Sequence, residues 1–149
     1  MGFLIWLEGG ALGIFIRESL WGYPIVLSSH AVGMAIVMGV VVALNLRVLG
    51  YAKDISILAY DKLFFIGWIG FIINLVSGLI LFCNTPTTYF FQGSFQLKIG
   101  SIVVGGILMK VVMNSVRGDT SETLTKVASA ACIACWFSAM ITGRLMAYL

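Results

Sequence analysis

Charge is the scarcest property of this 149-residue chain: six acidic and nine basic residues, 10% charged in all, with one histidine, two prolines and three cysteines. Each shortage excludes a class. Intrinsic disorder demands polarity and charge, and a disulfide-stapled miniprotein demands more than three cysteines. A soluble fold of this length has too little interior to hide a chain that is 60% hydrophobic with a mean hydropathy of +1.06. The class that remains is an integral membrane protein, with the lipid bilayer as its first partner. No segment between the apolar runs has room for a nucleotide-binding fold, and no phosphate-cradling glycine loop occurs. The cations are split between the two ends of the spans, so no nucleic-acid patch is expected.

The gaps between charges give the spans. Residues 19–46, 63–97 and 127–143 are uncharged runs of 28, 35 and 17, against the roughly 20 needed to cross a hydrocarbon core. A further run has Lys98 and Lys110 near its ends, where long side chains snorkel toward headgroups. The chain is therefore expected to be all-α, a single transmembrane domain over 1–149. The pattern predicts a four-helix bundle with spans at about 23–49, 62–83, 95–116 and 126–148, and a short turn at 84–94. Glu8, Gly9, Gly10, Arg17 and Glu18 interrupt residues 1–22. That segment reads as an interfacial helix dipping Phe3, Trp6, Leu7, Leu12, Phe15 and Ile16 into the acyl boundary. It has no basic n-region and no A-x-A site, so it does not read as a cleaved signal peptide.

Arg47, Lys53, Lys62, Lys110, Arg117 and Lys126 fall at one end of the spans, and Arg17, Lys98 and Arg144 at the other. The positive-inside rule then expects both termini outside, in a multi-pass protein of the bacterial inner (cytoplasmic) membrane. Trp21, Tyr23, Tyr89, Phe90 and Tyr148 would line the outer interface, and Tyr51 and Tyr60 the inner one. Small residues recur at helical spacing: Ala31, Ala35 and Gly39, then Gly67, Gly70 and Gly78, then Gly105, Gly106, Ala128, Ala131 and Ala134. They allow close backbone approach, within a tight bundle or toward further copies or other membrane subunits.

Polar residues at membrane depth are the candidates for function. His30 lies seven residues into the first span, about 10 Å deep at 1.5 Å per residue. Lys98 and Arg144 occupy the same outer half, with Ser28, Ser29, Gln96, Ser101, Ser138 and Thr142, and with Asn74 and Ser77 slightly deeper. No span contains Asp or Glu, and uncompensated cations in a bundle call for an anion. Glu8 and Glu18 are one source, pairing with Arg17, Lys98 or Arg144. A bound acidic cofactor is another, and haem b fits: His30 on the iron, propionates toward Lys98 and Arg144. Met140, at about the depth of His30, is the candidate second axial ligand; five-coordinate iron or His30 of a second copy would serve as well.

Plainer readings stand beside these. His30 also reads as a histidine hydrogen-bonded to Ser or Asn across helices and, behind both that reading and ligation, as a proton carrier. Lys98 and Arg144 read as snorkelling anchors, and Met140 as core packing. Cys132 and Cys135 form a C-x-x-C on one helical face among Ala131, Ala134 and Trp136. Neither a redox motif at a helix start nor a zinc site is expected there, and the pair reads as packing. Cys83 is unpaired.

The stretch ESLWGYPIVLSSHAVGMAIVMGVVVALNLRVLG, followed by FQLKIG at the third span, resembles a bacterial family of small four-helix membrane proteins of unassigned function. That family is similar in pattern to the CopD copper-resistance proteins and to HemJ, the haem-containing protoporphyrinogen oxidase. The specific points are the run His30, Gly33, Gly39, Leu46, Arg47, and Lys98. The resemblance implies a haem histidine at His30 and the family's third-span lysine at Lys98. The first span ends NLRVLG where HemJ carries a Leu-Pro-Arg-Leu pattern, so the oxidase activity is not implied.

Two function classes follow. One is a haem b redox protein, an oxidoreductase subunit in that case, passing electrons between an outer donor and a membrane partner. The other is a cofactor-free subunit that stabilises a larger membrane complex. A transporter ranks third, because the inner half offers only Asn45 and Lys110 as polar stepping stones.

Overall fold

Helix ends in this chain are set by residues that lie beyond the apolar runs. The computed structural model describes residues 2–51, 54, 56–118, 121–146 and 148; Lys53, counted above for orientation, lies outside them. Among the described residues there are seven helices and no strand: α1 (Gly2–Glu8), α2 (Ala11–Glu18), α3 (Gly22–Leu49), α4 (Ile57–Phe82), α5 (Pro86–Phe91), α6 (Gly93–Arg117) and α7 (Glu122–Leu145). Four of them, α3, α4, α6 and α7, are long and apolar enough to cross a membrane. The expected all-α membrane bundle is therefore present.

α4 begins at the Ser56 cap, whose Oγ accepts the Ala59 N–H at 3.2 Å. It starts five residues before the charge-based boundary at 62, because Asp61 and Lys62 limit burial in lipid but not helicity. α7 starts early for the same reason, with Glu122 in its first turn, where the helix dipole favours an acid. α3 ends at Gly50, which takes the left-handed conformation at φ 96° and returns its N–H to Arg47 O. The segment expected as a turn at 84–94 contains α5, started by Pro86 in its first turn.

The N-terminal segment is two helices rather than one, parted at Gly9 and Gly10. Arg17 donates to Glu8 O and, at 3.0 Å, to Asn84 O, and it pairs with the Glu8 carboxylate at 3.6 Å. The other Glu8 oxygen accepts from Thr87 Oγ1 at 2.7 Å. Glu8 thus takes Arg17, not Lys98 or Arg144, as its cation. Gly13 lets α2 lie on the end of α4, since a Cβ there would stand 2.8 Å from Cys83 O. Ile16, one turn further along α2, is buried.

α3 packs most extensively on α4, and α6 on α7, and the two hairpins meet along α3 and α7. The α3–α4 seam is closest at Gly33, where a Cβ would lie 2.8 Å from Asn74 N and 2.9 Å from Gly70 O. The small-residue stripe Ala31, Ala35, Gly39 faces away from the bundle, about 100° or more around the helix from the packed face. The core is built from Val37, Met38, Val41 and Leu44 of α3, Tyr60 of α4, Met109 and Met113 of α6, and Cys132 and Trp136 of α7. Phe65, Leu79, Ile107 and Val127 are exposed on the outside, an apolar surface suited to lipid.

Candidate functional site

His30 lies on the inward face of α3, one turn before Gly33 and Met34 and two before Val37, all three buried. Its Nδ1 stands 3.1 Å from Asn74 O and 3.0 Å from Ser77 Oγ, both on α4. Ser77 gives its own proton to Ile73 O at 2.6 Å. A carbonyl only accepts, so Nδ1 carries the hydrogen and Nε2 keeps its lone pair. Proteins orient a metal-binding histidine in this way, by a hydrogen bond from the other ring nitrogen, and they satisfy a packing histidine in the same way. Gly78 makes room for the ring: a Cβ there would stand 3.2 Å from His30 Cε1.

Lys98 sits on the inward face of α6, in register with half-buried Ser101 and Ile102 and with buried Gly105. Its stem lies against Gly143 of α7, where a Cβ would stand 3.2 Å from Nζ. Its charge acts on the His30 ring. Among the described residues Lys98 has no ion-pair or hydrogen-bond partner. Ser101 and Ser138 meet at 3.3 Å between α6 and α7 in this half, and Thr142 bonds back to Ser138 O at 2.8 Å.

Arg144 and Met140 lie elsewhere. With Ile141, Leu145 and Tyr148 they line an open groove of about 380 Å³ on α7. Arg144 is exposed, and Met140 is half-buried with one side against the core. Gly143 faces Lys98, so its neighbour Arg144, about 100° further round the helix, turns outward. A second open groove, of about 530 Å³, runs along α3 past Trp21, Pro24, Ser28, Ser29 and Val32 to Ile73 of α4. His30 and Lys98 line neither groove.

The structure thus brings His30 and Lys98 into one neighbourhood, and Arg144 and Met140 into another. Gly143 carries no sequence signal for its part in seating Lys98. Asn74 acts through its backbone carbonyl, which any residue would supply. No cluster of three His, Cys, Asp or Glu side chains able to hold a metal ion occurs among the described residues. No family model, curated protein or solved structure matches the chain.

Proposed function

We propose that the chain is a haem b redox protein of the bacterial inner membrane, with both termini outside. In this reading it is a homo-oligomer or a subunit of a larger assembly, and it carries electrons between an outer donor and a membrane partner. The carrying observation is the joint placement of a histidine with a free Nε2 and a half-buried lysine without an anion. The donor set fits the group: Nε2 for iron and an ammonium for a propionate. Asn74 O and Ser77 Oγ hold the ring by Nδ1–H, which fixes its tautomer and raises the basicity of Nε2. Gly78 and Gly143 leave room for the two side chains to lie against the neighbouring helices. Haem b bound there supplies one-electron transfer. Arg144 and Met140 face the α7 groove and stand outside this ligand set.

The absorbance spectrum of the purified protein is the test. A Soret band that disappears in His30→Ala and weakens in Lys98→Ala supports the proposal; a colourless wild-type protein that takes up no added haem sinks it.

A second reading, a cofactor-free stabilising subunit, is favoured by one feature: the His30 bonds to Asn74 and Ser77 clasp α3 to α4 without any guest. Its signature is a colourless protein that co-purifies with other membrane chains.

A further inference from the structure

The bundle half remote from His30 is apolar in composition, yet four buried polar atoms have no hydrogen-bond partner among the described residues. They are Asn45 Oδ1, the Tyr60 hydroxyl, Ser129 Oγ and Trp136 Nε1. Asn45 and Ser129 are fully buried, and Tyr60 and Trp136 are 3% and 4% exposed. They come from three helices and gather around one thiol. Asn45 Nδ2 lies 3.8 Å from Cys132 Sγ, and the Trp136 indole N–H stands beside that sulfur without completing a hydrogen bond. Tyr60 belongs to the same buried core cluster as Cys132 and Trp136. Ser129 precedes Cys132 by three residues on the same face of α7. The thiol itself points to Gly105 O at 3.5 Å.

Buried polar atoms are almost always hydrogen-bonded, so four unpartnered ones in a single core call for a common partner rather than four separate accidents. The donor inventory defines it. Trp136 Nε1 only donates, Asn45 Oδ1 only accepts, and the two hydroxyls do either. Arg47 stands at the rim over the Tyr60 ring, but the buried core around Cys132 holds no charged side chain among the described residues, so an ion inside would go uncompensated. The complement is a small neutral molecule that donates and accepts at once.

We propose that Asn45, Tyr60, Ser129 and Trp136 bind a buried cluster of water molecules beside Cys132. Access is at the Arg47 end, where the guanidinium lies 5.5 Å over the Tyr60 ring and draws water to the bundle's rim. The site is separate from His30 and Lys98 and stands whether or not haem binds.

Water-to-protein magnetisation transfer by NMR, on ¹⁵N-labelled protein in phosphatidylcholine bilayers, tests this. The Trp136 indole N–H receives water magnetisation at a rate near that of exposed Trp21, while lipid-facing Trp68 stays dry. The pair Tyr60→Phe with Ser129→Ala lowers the Trp136 transfer several-fold. A Trp136 signal as slow as that of Trp68 overturns the proposal. Thermal melts of the single variants give an independent answer. Deleting a hydroxyl that holds shared water lowers Tm, whereas deleting one that is dry and unpaired raises it. A raised Tm for both Tyr60→Phe and Ser129→Ala overturns the proposal.

Discussion

The two halves of the bundle solve the same packing problem with opposite materials. Around Leu44, α3, α6 and α7 meet through branched and sulfur-containing side chains, and Leu44 itself is fully buried. Around His30 the helices meet through glycine, serine and threonine, with one imidazole and one ammonium between them. In lipid, hydrophobicity does not drive helices together, so contact and hydrogen bonding must. One half therefore gains most of its cohesion from apolar packing, with its polar atoms enclosed in the core. The other gives up apolar contact for an imidazole and an ammonium, and that exchange makes it the place to look for a charged ligand.

Five measurements would break or sharpen this contrast. The largest effect is expected from Gly33→Val, because the added atoms meet the backbone of Asn74 and Gly70, which cannot yield. A loss of about 3 kcal/mol is anticipated in detergent unfolding, and an unchanged Tm would mean that α3 and α4 are not in close contact there. Leu44→Ala should cost about 2 kcal/mol, the low end for core truncation, since transfer to lipid leaves only the cavity cost. A loss no greater than that of an exposed site such as Leu79→Ala would remove the case for a dense half.

The third change has the opposite sign. Lys98→Leu should raise the stability of haem-free protein by about 1 kcal/mol, because it deletes a half-buried cation without a partner; a drop in Tm would show that the ammonium is already neutralised. Arg17→Ala should cost about 0.5–1 kcal/mol, given the exposure of its ion pair, and should speed proteolysis at Gly9–Gly10. Cleavage at the wild-type rate would mean that the clasp on Asn84 does not hold the N-terminal helices. Smallest is Lys126→Ala, which loses an exposed i,i+4 pair with Glu122 worth about 0.3 kcal/mol. A melting shift of several degrees there would reveal a contact beyond that pair.

How much of this was legible in the sequence depended on which solvent wrote it. Lipid forbids charge, so the gaps between Glu18, Arg47, Lys62 and Lys98 located the spans, while the cap at Ser56 and the helix start at Glu122 lay outside that rule. Lipid is as apolar as a core, however, so it leaves little periodic trace of which helix face turns inward. Depth was readable and azimuth was not. His30 and Lys98 share a depth and turn inward; Arg144 shares the depth and turns outward. The same blindness hid the buried polar atoms near Cys132: Tyr60 read as an interfacial aromatic, Cys132 as packing with Trp136 only its neighbour, and Ser129 carried no signal at all. Asn45 alone was conspicuous. The helix α5 escaped because six residues are too few to show a period.

The hairpins α3–α4 and α6–α7 are joined along α3 and α7, while α4 and α6 barely touch. At the histidine end that loose margin is closed by Phe82 of α4 stacked on Phe95 of α6, ring centres 5.2 Å apart. The molecule is thus a book with one firm spine and a fore-edge fastened by those two rings at the histidine end and by the Arg117–Asp61 ion pair at the other. What fastens the fore-edge is side chains alone, so the leaves are bound by their spine and merely clipped at the opposite margin.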